Sequence, residues 1–347
     1  MRLIITSIPY IANVSKNFLP ALRFAIALTA LIYILLSFIR LTPSGFQIKE
    51  LMAAFTPASL LVLLFVFALM FLNWAIEGFK WALLVSKMEP PRPKMIISSI
   101  LYGISLGMIT PKRTGEFAGK IYFLKPENRL DGLLLNSAAG ASQLLITLMA
   151  GSFALAVFVS QWSGDYFALS AATLRTDMLL KTGFFFAFSL LVAIYLLPMF
   201  GKVFKRLYAG KTSGPMRWLS GFALLRKKDI TLLIALSMIR YLVFVSQFYL
   251  LLKVFGHPVE FAMALIFIAV IYLIMTLMPL SALWEMGVRG SVALFVFSFY
   301  PNEAAGNLFH FSVVAATTTL WIINLSVPAI AGGLLGLKNE IGKNTKH

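Results

Sequence analysis

Two short stretches of this chain place acidic and basic residues inside long apolar runs, at 111–120 and 279–289. The charged residues that could carry chemistry are Arg113, Glu116 and Lys120 in the first stretch and Glu285 and Arg289 in the second. In both stretches an acid precedes a base by four residues, which puts the pair on one face of a helix in the favourable order. Ionisable side chains at membrane depth are costly and usually functional, so these stretches form the candidate site.

Each stretch begins at a proline, Pro111 or Pro279, which removes a backbone donor and interrupts a helix. Neither apolar arm around the first break comfortably spans the ~30 Å hydrocarbon core. We therefore predict a re-entrant hairpin over residues 95–124 and a second over 261–300. The returning arm of each hairpin begins near the midplane, where its first N–H groups and positive dipole end favour an anion; Thr114 is the expected cap of the first.

The residue types favour recognition of a phosphate and an amine. Guanidinium groups hold phosphate through charge-assisted hydrogen bonds, the role we assign to Arg113, Arg289 and, from another span, Arg240. Glu116 and Glu285 are expected to meet an amino group or a proton. Secondary candidates in other spans are Glu77, Lys80, Asn136 and Gln143.

A purely structural interpretation stays open for all of these groups. The acid and base of each hairpin would then only neutralise each other and lock the hairpin in place. Lys80 would pair with Glu77 or extend to the membrane interface. Asn136, Gln143 and Thr147 form a polar stripe at helical spacing, which favours hydrogen bonds between helices over contact with a ligand.

Composition identifies a membrane protein and narrows its chemistry. Hydrophobic residues make up 60% of the chain and charged residues 12%, too apolar a mixture for one soluble core. Cysteine is absent and the three histidines are scattered, so we expect no metal site. Because no nucleophile elbow, P-loop or dinucleotide fingerprint is present, we expect no cofactor and a transporter-like protein that is not an enzyme.

The net charge of +17 comes from basic loops between apolar spans, the most basic of which is 201–229. Such loops set topology and attract anionic lipid, so nucleic acid is not the expected partner. The positive-inside rule predicts a cytoplasmic (inner) membrane protein with both termini in the cytoplasm. The N-terminal apolar run has no small-residue cleavage site before Arg40, which favours a retained first helix.

The apolar runs predict an all-α polytopic membrane protein, a single membrane domain over residues 1–347. Six full transmembrane helices are expected at about 21–39, 54–85, 132–160, 182–199, 231–254 and 305–335. The order helix, helix, hairpin, helix occurs over 21–160 and again over 182–335, and the two hairpins enter from opposite sides. This is the pattern of an inverted repeat with its site at the midplane, between the hairpin tips.

At this point the residues resemble a family. The motif Pro-x-Arg-x-Gly-Glu over 111–116, which includes Gly115, is followed by Lys120, by Pro279 and by Gly287-Val288-Arg289. This pattern is similar to that of the lysylphosphatidylglycerol synthase transmembrane region family, the flippase-like membrane domain, over about residues 20–335. The resemblance implies a lipid-translocating fold with these residues at the substrate site.

Two departures qualify what the resemblance implies. The second family motif usually reads Gly-Gly-x-Gly-x-Arg-Glu, whereas this chain has Trp284 and Glu285 in place of the glycine pair and Gly290 where the acid is expected. Glu285 is the candidate replacement for that acid. The chain also ends about ten residues after its last predicted helix, so we expect no soluble aminoacyl-transferring domain and do not carry the synthase activity over.

The expected function is translocation of an anionic, aminoacylated or polyprenyl-phosphate-linked lipid between leaflets. The expected partner is thus a membrane phospholipid or a polyprenyl-phosphate lipid. One alternative is a membrane enzyme or accessory factor that acts on a lipid-linked glycan or phosphate, with Glu116 as general base. Another is a scaffold whose basic loop, 201–229, recruits a soluble or membrane enzyme.

Overall fold

The computed structural model describes residues 56–110, 113–162, 172–207, 217–256, 259–278, 282–300 and 307–334. Within these ranges every regular element is a helix and no strand occurs, so the predicted all-α class is confirmed. The predicted first span at 21–39 and both termini lie outside the described residues. Together with the family match reported below, the long apolar helices make this a multi-pass membrane protein.

We number the α-helices in chain order. They are α1 (Pro57–Val85), α2 (Pro93–Ile109), α3 (Thr114–Tyr122), α4 (Arg129–Trp162), α5 (Ala172–Leu207), α6 (Lys227–Val254), α7 (Phe261–Leu277), α8 (Ala282–Phe297) and α9 (Asn307–Trp321). Two short 3-10 helices, Pro126–Asn128 and Arg217–Leu224, precede α4 and α6. After α9 the helix passes through a π-helical turn, Ile322–Ser326, and continues to residue 334.

Five of the described helices are long and apolar enough to cross a membrane. Four lie close to the predicted spans, whereas the predicted span 182–199 is too short because α5 runs over Ala172–Leu207. Its polar ends continue the helix beyond the apolar stretch, where they meet the interface. Large apolar side chains such as Leu61 and Phe71 are 68% and 64% exposed on the outer surface, as expected for contact with lipid.

One end of the helix bundle is basic. The C-terminal ends of α1 and α5 and the N-terminal ends of α4 and α6 meet there. Lys87 donates to Asp229 at 2.8 Å, and the Asn128 amide donates to Glu89 at 2.8 Å. At the opposite end the rings of Phe158 and Phe267 lie 5.4 Å apart. The described residues of the two ends are thus held together differently, by polar contacts at one end and by aromatic packing at the other.

Helices α2 and α3 form a tight antiparallel hairpin that starts and finishes at the basic end. A Cβ added at Gly119 would lie 2.5 Å from the Gly103 Cα, so the two backbones touch at this crossing. Arg113 turns the chain with φ of 55°, a left-handed conformation. The Thr110 hydroxyl accepts the Gly115 N–H at 2.7 Å, so the predicted cap, Thr114, is the wrong residue.

Helices α7 and α8 form the counterpart, which starts and finishes at the opposite end. Phe267 and Phe297 pack with ring centroids 5.3 Å apart inside a large apolar cluster that also contains residues of α4, α6 and α9. The described residues next to the two turns, such as Arg113 and Met278, line one cavity between the helices. The re-entrant position of the hairpins in a bilayer and the division into two inverted halves stay predictions.

The described parts of the basic segment, 201–207 and 217–229, are largely helical and pack against the bundle. Its first residues complete α5, and the 3-10 helix Arg217–Leu224 packs against α5 and α4. Gly201 lies against the Phe222 backbone, and Leu225 is only 2% exposed. Apolar residues of these two parts hold them against the bundle, while Lys202, Arg226 and Lys228 remain exposed at the surface.

Candidate functional site

A cavity of about 520 Å³ lies where the turning points of the two hairpins meet. The charged residues that line it are Arg113, Glu116, Arg240, Glu285 and Arg289. Four of these come from the hairpins and Arg240 comes from the middle of α6. The structure thus brings together the five charged residues that the sequence predicts to bind phosphate or an amine. They come from three segments that are far apart in the chain: the two hairpins and α6.

The two hairpin arginines each face an acid of their own hairpin. Arg113 Nη2 lies 2.9 Å from Glu116 Oε2, and Arg289 pairs with Glu285 one helical turn away. The Arg113 side chain is 32% exposed and the Arg289 side chain 17%. Both guanidinium groups therefore reach the cavity while one side of each is neutralised by a carboxylate.

Glu77 lies behind the cavity and holds three cations. It accepts from Lys120 Nζ and from Arg240 Nη1, both at 2.5 Å, while Lys80 Nζ is more distant, at 3.8 Å. The Glu77 side chain is 6% exposed. The predicted local pairing of Glu77 with Lys80 is therefore secondary, since stronger partners arrive from α3 and α6.

Lys80 does not extend to the interface. Its side chain is 2% exposed and its ammonium donates to the Ser237 hydroxyl at 3.0 Å. The expectation of an interfacial lysine fails because Lys80 lies on the inner face of α1, where α6 covers it. A buried cation beside a shared carboxylate adds positive charge to the centre of the protein.

Lys120 connects the first hairpin to two other helices. Besides Glu77, it lies 3.5 Å from Glu116 and 3.4 Å from the Asn136 amide oxygen. It is 3% exposed and does not line the cavity. Lys120 and Asn136 therefore lie behind the cavity, and contact of Lys120 with substrate stays a prediction.

The polar stripe on α4 links two helices and also borders the cavity. Gln143 donates to the Ser237 carbonyl at 3.4 Å, which links α4 to α6. Gln143 and Thr147 also line the cavity, and the Gln143 Oε1 atom has no hydrogen-bond partner among the described residues. The stripe thus joins helices with one face and borders the cavity with the other.

Arg240 is the most firmly positioned of the three cavity arginines. In addition to Glu77, its Nε donates to Asn73 Oδ1 at 2.7 Å, and its guanidinium lies 5.6 Å from the ring centroids of Trp74 and Phe244. Four different side chains therefore fix the orientation of one guanidinium, which leaves little freedom for Arg240 to change its position.

Sequence reasoning missed the amide network that supports this arginine. Asn73 donates to Asn324 at 3.2 Å, Asn324 to Gln247 at 3.1 Å, and Gln247 to the Val66 carbonyl at 2.9 Å. Asn324 lies in the π-helical turn, a distortion that often marks functional sites. The only sign of this network in the sequence is a single amide side chain within each of these apolar helices. Such an amide predicts a polar contact between helices but does not show which residue is its partner.

Several donors at the cavity have no protein partner in the described residues. They are Arg113 Nε, Arg289 Nε and the Tyr241 hydroxyl, all buried atoms. Buried donors without partners are rare and call for an explanation. All three residues line the same cavity, so these donors lie beside the place where an anionic group is expected.

Charge at the centre is unbalanced in favour of cations. In the described residues the basic members are Lys80, Arg113, Lys120, Arg240 and Arg289, and the acidic members are Glu77, Glu116 and Glu285. Five cations against three carboxylates leave a formal excess of two positive charges. In a low-dielectric surrounding such an excess favours an anion strongly.

Backbone amides contribute less to this anion site than the sequence predicts. The N–H groups of Gly115 and Glu116 donate to Thr110 and to the Arg113 carbonyl, so they are not available at the start of α3. Gly115 also packs against the Leu106 carbonyl, which gives it a packing role. Gly287 lies within α8, while Pro111 and Pro279 lie outside the described residues.

Comparison with known proteins identifies the family. The sequence profile of the lysylphosphatidylglycerol synthase transmembrane region matches residues 21–327 of this chain. No match was found among curated proteins or among solved structures. The matched range contains α1 to α8, most of the last helix and all the charged residues of the cavity. Because it covers most of the 347 residues, the chain belongs to the family of the lysylphosphatidylglycerol synthase transmembrane region.

Proposed function

We propose that this protein moves a lipid with a phosphate-bearing head group between the leaflets of its membrane. The observation that carries the proposal is the meeting of Arg113, Arg240 and Arg289 in one cavity, backed by an excess of positive charge. Guanidinium groups bind phosphate through paired, charge-assisted hydrogen bonds. The cavity volume, about 520 Å³, is within the range of small-molecule sites and suits a head group.

The rim of the cavity favours a lipid over a soluble anion. Met275, Leu277 and Met278 of α7 line one side, and Leu277 is 69% exposed on the outer surface. A soluble anion would gain no favourable contact from these apolar side chains. With this geometry the head group occupies the charged interior while the acyl chains stay along the apolar outer surface of α7.

Exchange of ion-pair partners lowers the barrier for the head group. Arg113 and Arg289 are each neutralised by a carboxylate before a ligand arrives, so neither charge is left bare in the membrane. On binding, phosphate replaces the carboxylates as partner. The released Glu116 and Glu285 can then accept from an amine on the lipid, which would favour aminoacylated or other amine-bearing head groups.

Reconstitution in liposomes tests this proposal. Vesicles would contain a fluorescent phosphatidylglycerol analogue in both leaflets, and dithionite quenching would report its exchange while mass spectrometry reports its chemical identity. We expect rapid exchange of unchanged lipid with wild type and a loss of at least tenfold with Arg113→Gln/Arg289→Gln. Lys205→Gln/Arg206→Gln, which removes two exposed charges of α5 outside the cavity, is the matched control.

Three results would count against translocation. Equal exchange in the double variant and wild type would remove the cavity from the mechanism. Chemical conversion of a lipid-linked substrate, abolished by Glu116→Gln, would favour the enzyme alternative instead. Normal function in cells with the cavity charges removed, but not with the basic segment 201–229 neutralised, would favour the scaffold.

A further inference from the structure

A second, larger cleft opens at the basic end of the bundle, away from the central cavity. It has a volume of about 1530 Å³ and lies between α5, α6, the end of α1 and the 3-10 helix Arg217–Leu224. None of the residues that line it also lines the central cavity. Lipid translocation through the hairpin tips makes no use of this cleft.

The cleft has a polarity gradient along its length. Its cationic members, Lys202, Arg226, Lys227 and Lys228, are exposed and lie where α5 ends and α6 begins. Toward the bundle centre its α5 wall continues to Leu191 through Tyr195, Leu196 and Met199. At ~1.5 Å per residue, Leu191 and Lys202 are about 16 Å apart along α5. The charged mouth matches the head group of a phospholipid, and the apolar side chains deeper in the cleft match its acyl chains.

Most cations at the mouth lack a carboxylate partner in the described part of the chain. Of the described lining residues Asp229 alone is acidic, and it already accepts from Lys87 Nζ at 2.8 Å and from the Arg226 N–H at 2.9 Å. Lys202, Lys227 and Lys228 form no salt bridge with any described residue. A basic pocket between membrane helices with an apolar interior is suited to an anionic lipid head group.

We propose that this cleft binds one anionic phospholipid molecule of the adjacent leaflet, with its phosphate at Lys202, Lys227 and Lys228. Its acyl chains lie against Leu191, Leu196 and the facing Leu232 of α6. The Tyr195 and Thr231 hydroxyls are hydrogen bonded at 2.8 Å and hold α5 and α6 together at the floor of the cleft. The site is independent of the central cavity, so the lipid remains in place during translocation.

Native mass spectrometry of the full chain in detergent tests the proposal. Delipidated protein would be incubated with phosphatidylglycerol or with phosphatidylcholine of the same acyl chains. We expect one phosphatidylglycerol to be retained at least tenfold better than phosphatidylcholine, and 10 mM inorganic phosphate not to displace it. Lys202→Gln/Lys227→Gln/Lys228→Gln should lose this retention at least tenfold, and Leu191→Trp, which narrows the apolar part, should weaken it without any change of charge.

The matched control is Lys94→Gln/Lys205→Gln/Arg206→Gln, which removes three exposed charges of the same end that do not line the cleft. It should retain phosphatidylglycerol as wild type does. Equal loss in the two triple variants, displacement by free phosphate, or no preference over phosphatidylcholine would overturn the proposal. An unchanged thermal unfolding midpoint would show that the triple variants fold.

Discussion

The two hairpins carry the same kind of acid–base pair but are held by different forces. In the first, Lys120 joins Glu116 to Glu77 on α1, so the pair is part of a charge network that crosses helices. In the second, Arg289 pairs with Glu285 on its own helix, and aromatic rings of α7 and α8 pack the hairpin into the apolar core. Charge links the first hairpin to α1, whereas apolar packing holds the second, so the ligand exchange that we propose for Arg289 is expected to leave the fold intact.

Glu77→Gln is the variant expected to have the largest effect. It leaves Lys120, Arg240 and Lys80 around a neutral amide, and loss of one member of a buried ion pair typically costs about 3–5 kcal/mol. Denaturant unfolding in mixed micelles measures the change in free energy. Glu285→Gln removes the same charge from the second hairpin, where both side chains are 17% exposed, and should cost about 1 kcal/mol or less.

A rescue variant distinguishes lost charge from lost shape. Adding Lys120→Met to Glu77→Gln removes a buried cation that has lost its closest carboxylate, so part of the lost stability should return. Equal losses for Glu77→Gln and Glu285→Gln would contradict the comparison, because the second hairpin would then depend on charge as much as the first.

Reversal of the second pair, Glu285→Arg/Arg289→Glu, tests whether this pair binds ligand or only locks the hairpin. The contact at i, i+4 is kept, so a lock would tolerate the change. If Arg289 holds phosphate, moving the guanidinium one turn along α8 should slow lipid exchange about tenfold or more, since a charged hydrogen bond contributes about 1.5–3 kcal/mol. Lipid exchange in liposomes is the decisive measurement, provided that the free energy of unfolding of the reversed variant equals that of wild type.

Glycines give a matched test of backbone packing in the two hairpins. In Gly119→Ala the new methyl group would meet the Gly103 backbone at 2.5 Å, so we expect a loss of about 1–3 kcal/mol. In Gly290→Ala on α8 no atom lies within 4 Å of the new Cβ, so stability should be unchanged or rise by up to about 1 kcal/mol. Unfolding of the two variants under one condition compares them directly; similar losses would show that the second hairpin is packed as closely as the first.

The sequence predicted the helices and the composition of the cavity because both depend on local signals. Apolar runs in the sequence locate the membrane-spanning helices. Charged residues within those runs are the site candidates, and five of them line one cavity in the structure: Arg113, Glu116, Arg240, Glu285 and Arg289. The energetic argument behind that selection needs no knowledge of contacts: a charge in the interior must face other polar groups wherever the chain folds.

The partners of Glu77 could not be predicted in the same way. Sequence spacing predicts Lys80, three residues away, as the partner of Glu77. The closest cations in the structure are Lys120 and Arg240, which lie 43 and 163 residues further along the chain. Gln247 gave no signal because a single amide in an apolar helix does not reveal which face is buried. The ends of α5 were missed since polar residues extend a helix past its apolar stretch without changing the hydropathy that locates it.

Asn324→Leu should have a small effect on lipid exchange, and it tests whether ion pairs or amide hydrogen bonds hold Arg240 and the first hairpin in place. The substitution removes the hydrogen bonds of Asn324 to Asn73 and Gln247, and such bonds between membrane helices contribute about 0.6 kcal/mol on average. Arg240 keeps Glu77 and Asn73, so lipid exchange should stay within about twofold of wild type. A loss of stability as large as that of Glu77→Gln would mean that the amide network, not the charge network, fixes the arginine and the hairpin beside it.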